Sequence, residues 1–294
     1  MTNVNAHVRG VILMTEQFRS AALADLVKQI EAMGFESLWL PELFGREPIA
    51  TAGWLLGQTE RIVIATGIAN VYVRDAHATA QARQTLAELS GGRFILGLGV
   101  SNEGLNTARG HAWSAPLPKL EAYLDAMAKV EVNAPEAAAP APLYIAAHGP
   151  ALQRLGARRT DGIITYLMPP EHTSLARARI GAGPALSTVA GFVAETDPAT
   201  ARAKARAALA MYMRLDYYHR EWRKLGYDDA DFSGGGSDRL IDALVAWGDA
   251  DALDARVAEY VRAGATRVIV MPFGIRTRTG LDLRVLEALA VAQH

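Results

Sequence analysis

Residues 61–102 read RIVIATGIANVYVRDAHATAQARQTLAELSGGRFILGLGVSN, and the fold is decided there. Arg61 to Gly67 is a short β-branched run, and Asp75 to Leu89 places Ala78, Ala82, Leu86 and Leu89 at helical spacing. Phe94 to Leu98 is again short and apolar. The spacing predicts strand, helix, strand. Ser90-Gly91-Gly92 supplies the left-handed backbone on which a helix ends before the next strand begins. Strands apolar on both faces belong to a parallel sheet covered by helices. Both strands finish in small residues, Gly67-Ile68-Ala69-Asn70 and Gly97-Leu98-Gly99-Val100-Ser101-Asn102, so a large flat ligand could approach the backbone at either end.

The rhythm continues in both directions. Val8 to Met14 reads as a first strand, followed by a helix that Ser20 opens as N-cap, with Leu23, Leu26, Val27 and Ile30 as its core face and Gly34 at its end. Ser37 to Leu40 is a second strand, and Pro48 to Leu56 a helix with proline in its first turn. Glu103 to Pro118 reads as loop, Leu120 to Val130 as helix, and the Ala/Pro-rich residues 133–142 as a stiff connector rather than a domain boundary. Strands are then expected at Leu143–Ala147, Ile163–Tyr166, Leu186–Ala194 and Thr266–Met271. Helices are expected from Pro150, after Thr173, and over 198–213, 212–225, 239–247, 253–263 and 281–292, with a flexible loop at Ser233–Ser237. Eight strands, nearly all followed by helices, close most simply into one (β/α)8 TIM barrel spanning 1–294, with inserted loops and helices. An open doubly wound sheet is the alternative, but its glycine fingerprint is missing after the first strand.

Composition narrows the function. Thirty basic and 31 acidic residues nearly cancel, and no Lys/Arg cluster alternates with aromatics, so nucleic acid is not an expected partner. The N-terminus is too short of apolar residues for a signal core and no later stretch could span a bilayer, so a soluble, cytoplasmic protein is expected. The absence of cysteine excludes disulfides, thiolate metal sites and cysteine nucleophiles. None of the seven histidines lies two, three or four residues from another, so no metal site is expected. A G-x-S-x-G elbow is absent, since Gly99-Val100-Ser101 lacks the second glycine.

In such barrels chemistry sits at the carboxyl ends of the strands. Those ends fall at Glu42-Leu43, Gly67 to Asn70, Gly99 to Glu103, His148 to Ala151, Tyr166 to Pro169 and Pro272 to Gly274. They are poor in charge and rich in Gly, Asn, His and aromatics, which suits a planar cofactor. At His148-Gly149-Pro150-Ala151 a helix starts on proline, so its free N–H groups and positive dipole end suit a phosphate, although Gly-Pro also starts helices with no ligand in view. By position the candidate proton donors are Glu42, Glu103, His148 and Tyr166. His77 and His172, at helix starts, read as solvated or capping residues. Tyr212, Tyr217, Tyr218 and Trp222 read as a lid, a dimer face or core packing.

LWLPE, ATGIANVY, ELSGGRFILGLGVSN and LYIAAHGPALQRLGARRTDGI, in that order, resemble the bacterial-luciferase-like flavin and deazaflavin oxidoreductases. TYLMPPEHT, DRLIDALVAWGD and RVAEYVRAGATRVIV resemble the branch dependent on coenzyme F-420 (F420). The resemblance implies a luciferase-like barrel with an insertion, a deazaflavin across the strand ends with flavin mononucleotide (FMN) as alternative, a small-molecule substrate and a homodimer. It implies a non-prolyl cis peptide at Gly67-Ile68 behind the ring, Gly99, Val100, Ser101 and Asn102 on the opposite side, and a phosphate loop at His148, Gly149, Pro150 and Ala151, with Asn70 and Tyr166 completing the cofactor set. Relatives that oxidise sugar phosphates end their second strand in an acid followed by a basic His. Glu42-Leu43 keeps only the acid, so a reductase fits better. The Glu those relatives carry after the fourth strand falls on Asn102, or, with a one-residue gap, Glu103 and Asn106 come into register. An FMN-dependent monooxygenase and a non-catalytic flavin-binding protein are the competing readings.

Overall fold

The computed structural model describes residues 9–277 and 280–291. Ten strands occupy one sheet: β1 Arg9–Ile12, β2 Ser37–Leu40, β3 Val63–Thr66, β4 Ala69–Asn70, β5 Phe94–Gly99, β6 Leu143–Ala146, β7 Gly162–Tyr166, β8 Ala185–Val193, β9 Val245–Trp247 and β10 Arg267–Pro272. The helices are α1 Ser20–Ala32, α2 Pro48–Leu56, α3 Ala76–Leu89, α4 Glu103–Ala108, α5 Pro116–Met127, α6 Pro150–Arg159 and α7 Pro170–Ile180. After them come α8 Pro198–Leu209, α9 Asp216–Arg223, α10 Asp229–Phe232, α11 Asp238–Leu244, α12 Ala250–Arg262 and α13 Arg284–Ala288.

All pairings in this sheet are parallel, and β10 pairs with both β1 (Arg9 opposite Val268) and β8 (Arg267 opposite Ser187). That double pairing closes an eight-stranded barrel and excludes the open sheet. Strand β4 extends the line of β3 beside β5, and β9 lies along the end of β8. The barrel is filled rather than hollow. Ile12, Trp39, Ala65, Ile95, Tyr144, Ile164, Val189 and Ile269, one from each barrel strand, form the inner cluster, with Trp39 stacked on Tyr144 at 6.2 Å. Gly10 makes room for it, since a Cβ there would lie 2.9 Å from Trp39 Nε1.

Several expectations are corrected. Arg19, not Ser20, occupies the N-cap of α1, although the predicted core face is buried throughout and Gly34 ends the helix at φ +83°. The buried face of α3 is Thr79, Leu86 and Ala87, whereas Ala78 is exposed and Leu89 is 70% exposed. Helix α5 packs on α3 through the Thr79 and Tyr123 hydroxyls, 2.6 Å apart, and that contact selects the face. Residues 103–108 are helical rather than loop because Asn102 caps them, its side chain accepting the Leu105 N–H. The predicted helix 239–247 divides into α11 and β9, the 198–213 helix ends at Leu209, and the one expected over 212–225 shortens to α9. The predicted ends at Val8 and Ala292 lie outside the described residues.

Candidate active site

At the carboxyl ends of the strands lies a cavity of about 660 Å³, within the range usual for cofactor sites. Its floor is built from Glu42 and Leu43 after β2, Gly67 and Ile68 after β3, residues 100–104 after β5, His148 and Gly149 after β6, and Tyr166 at the end of β7. Its roof is residues 211–221, including Tyr212, Tyr217 and Tyr218. The roof is held down by Trp222, fully buried, whose indole N–H donates to the Leu167 carbonyl, and it shares its own apolar cluster with Phe232, Leu240 and Ile241. The four tyrosines and Trp222 therefore form wall and roof core.

The Gly67–Ile68 peptide is cis, at the position the resemblance implies. Below it the Thr66 hydroxyl donates to the Gly97 carbonyl (2.7 Å) and accepts the Gly97 N–H (2.9 Å), clipping β3 to β5. Ile68 then lies over Gly99, where a Cβ would meet Ile68 Cγ1 at 2.8 Å. Two bare strand ends thus bring a flat apolar wall to the cavity.

Not every predicted site residue faces it. Gly67, Ile68, Val100, Ser101, Asn102, His148, Gly149 and Tyr166 line the cavity, as do Glu42 and Glu103. Gly99, Asn70, Pro150 and Ala151 do not, nor do Pro272 to Gly274. Gly99 sits beneath Ile68, Pro150 is the first residue of α6 and Ala151 is exposed. Asn70 is fully buried, its amide donating to Asn106 Oδ1 (2.8 Å) and its Oδ1 accepting from Tyr72 N. Asn106 in turn donates to the Val100 and Asn102 carbonyls, so the pair ties the two strand ends together rather than presenting them to a ligand.

Glu42 is buried and committed. The Arg74 fork grips both its oxygens (2.7 and 2.8 Å), and the Asn70 N–H donates to the same carboxylate at 2.6 Å. Arg74 also pairs with Glu47, which caps α2. As one half of a bidentate buried pair, Glu42 has both carboxylate oxygens engaged by protein donors. Arg74 is the residue that sequence reasoning missed; nothing in VYVRD marks it.

His148 is also unsuited to donating a proton as imidazolium. The Tyr166 N–H donates to its Nε2 (3.2 Å), which fixes that nitrogen as acceptor and places the ring proton on Nδ1. Burial, then the neighbouring His172, pushes its pKa down to about 3. His172, expected to be solvated or capping, is buried. Its Nε2 lies 2.9 Å from the His148 carbonyl, which also accepts from Gln153 (2.7 Å), and its Nδ1 has no partner among the described residues. His77 is exposed as expected.

The two histidines give acid lability a definite sign. In the unfolded chain each titrates near its ordinary value of about 6.5, whereas burial lowers both when folded. Below pH 6.5 the unfolded chain takes up protons that the native protein refuses until about pH 3 at His148. Stability should be full above pH 6.5 and fall as pH drops through that window, by up to about 1.4 kcal/mol per pH unit per histidine. Melting temperatures between pH 7.5 and 4 should show this, with a shallower slope in His148→Asn.

The Tyr166 and Tyr212 hydroxyls lie 2.9 Å apart at the cavity wall. Burial, then each other's proximity, keeps the Tyr166 phenol well above its ordinary value and so protonated. Glu103, exposed on the first turn of α4, also borders the cavity. No group of three His, Cys, Asp or Glu among the described residues is placed to hold a metal ion. No helix among them is long and apolar enough to cross a membrane.

Comparison with known proteins places these features in a wider set. A family model described as luciferase-like monooxygenase matches residues 5–267. The 5,10-methylenetetrahydromethanopterin reductase of Methanolobus tindarius is 26% identical over 309 positions, covering 89% of this chain and 93% of the relative. Among solved structures, an F420-dependent secondary alcohol dehydrogenase in complex with an F420-acetone adduct superposes with a TM-score of 0.75 at 16% identity, covering 97% and 98% of the two chains. The oxygenating constituent of 3,6-diketocamphane monooxygenase from Pseudomonas putida, in complex with FMN, superposes at 0.66 and 14% identity, covering 97% and 96%.

Proposed function

This chain belongs to the luciferase-like monooxygenase family, and from that premise we propose that it is an F420-dependent oxidoreductase acting on a small organic molecule, working as a reductase. The observation that carries the proposal is the cavity itself: Gly67 and Ile68, the latter packed on Gly99, and Gly149 at the start of α6 line one chamber at the strand ends. The wall accommodates a tricyclic ring, and the α6 start, with no side chain capping it, accommodates an anionic tail. When bound, the deazaflavin supplies a ring carbon that gives or takes hydride.

The side chains do the rest. Gly67, Ile68, Val100, Ser101 and Asn102 hold the ring, and His148 and Gly149 the phosphate. Glu42, at the edge of the cavity, is held by Arg74 and the Asn70 N–H and so ties the ends of β2 and β4 together. With Glu42 committed and His148 neutral, the candidate donors left are Tyr166, paired with Tyr212, and Glu103, while Tyr217, Asp216 and Glu221 of the roof also line the cavity. Leu43 in place of a basic His argues against removal of an alcohol proton, and so favours reduction of an activated alkene or imine.

Titrating the purified chain with oxidised F420 and with FMN in parallel tests this. Micromolar binding of F420 is expected, and failure to bind either cofactor would overturn it. The FMN monooxygenase reading is favoured by the FMN-bound neighbour of the same fold; oxygen consumption with reduced FMN would select it. Gly149→Asp should weaken F420 binding about tenfold or more, because a carboxylate would stand at the α6 start; unchanged affinity would count against that loop. The homodimer and the cytoplasmic location belong to the same proposal, and light scattering at twice 31.6 kDa would bear out the former.

A further inference from the structure

A negative charge already stands at the place proposed for the phosphate. A Cβ built on Gly149 would lie 3.3 Å from Glu221 Oε1, and Glu221 borders the same cavity from the roof helix α9. Its side chain is only 14% exposed. Its position is fixed by its neighbours on α9, Tyr218 and Trp222, which are both buried in the roof cluster. Lys224, half exposed, donates to the same oxygen at 2.7 Å. Arg214, Asp216 and Arg220 are the other charged groups that this segment brings to the cavity.

We propose that Glu221 is a specificity-determining charge at the α6 start, selecting the singly charged phosphodiester of F420 over the phosphomonoester of FMN. This rests on the reading that the cofactor's phosphate sits at Gly149. A phosphomonoester carries a charge of about −1.5 to −2 at pH 7, whereas a phosphodiester carries one negative charge. The electrostatic work of placing an anion beside a fixed carboxylate is proportional to the anion's charge. At the phosphate, Glu221 therefore opposes FMN about 1.5 to 2 times as strongly, on a free-energy scale, as it opposes the diester. Lys224 offsets part of this for both ligands, in the same ratio.

The test is equilibrium titration of F420, FMN and uncharged riboflavin into the wild type, Glu221→Gln and Lys224→Met. Glu221→Gln should improve F420 binding about fivefold and FMN binding about ten- to twenty-five-fold, leaving riboflavin unchanged. Lys224→Met, at an exposed position, should produce the opposite order, with FMN losing more than F420. The differences should shrink in 0.5 M salt, where charges are screened within a few ångströms. Equal changes for all three ligands would mean a packing effect, and no change would mean that the carboxylate is not felt; either overturns the proposal while the F420 reading stands. Failure of F420 and FMN alike to bind the wild type and both variants would overturn that reading and this proposal with it.

Discussion

Gly97→Val should leave no folded barrel to purify, and even Gly97→Ala should cost about 4 kcal/mol or more. A Cβ on Gly97 would lie 2.1 Å from the Thr66 carbonyl oxygen and 2.8 Å from Ile164 Cδ1. The first neighbour is backbone and cannot rotate away. Moving it separates β3 from β5 and breaks both hydrogen bonds of the Thr66 hydroxyl, directly below the Gly67–Ile68 peptide. Against a total stability of about 5–15 kcal/mol, that loss brings the chain close to unfolding. The matched control is Gly183→Ala, where a Cβ meets nothing within 4 Å and φ is not positive, so the urea midpoint should hardly move. A Gly97→Ala protein with the wild-type midpoint would show that the two strand ends are looser than described.

Glu42→Gln should destabilise the protein by about 3 kcal/mol and weaken cofactor binding as a consequence. The amide offers one acceptor oxygen instead of two and turns an NH2 toward the second arm of Arg74, so a guanidinium with an 11% exposed side chain is left with one arm on the amide, the Asn70 carbonyl and Glu47, which is half exposed. The Asn70 N–H, buried beside it, loses its charged acceptor. This outcome separates two roles for one residue. A proton donor replaced by its amide would lose turnover and keep its denaturation midpoint; the anionic half of a buried pair loses the midpoint. An unchanged midpoint would return Glu42 to the list of acids.

The barrel was legible because its signals are local. Short apolar runs mark all eight barrel strands to within about two residues, since the strands are buried on both faces and tolerate little else. Strand β9 escaped because Val245-Ala246-Trp247 follows α11 with no breaker between them, and only pairing with β8 makes it extended. The buried face of α3 escaped because its selecting contact, Thr79 with Tyr123, is a polar one made by a distant helix. The site divides in the same way. Gly67, Gly149 and the turn after β5 were readable from backbone-permissive residues at strand ends. What could not be read was partnership: Arg74 with Glu42, Gln153 and His172 with the His148 carbonyl, Glu221 with Gly149. Charged and amide side chains reach partners far along the chain, and a sequence without coordinates does not say which.

The roof has a consequence of its own. Its apolar cluster is nearly separate from those of the barrel, and it meets the main frame chiefly at the ends of β7, β8 and β9. Substitutions there can redraw one wall of the chamber while the ring of strands, with its clip and its cis peptide, is left as it was. Chemistry and selectivity are thereby housed in parts that can diversify at different speeds, and one barrel can serve many reactants by exchanging its ceiling.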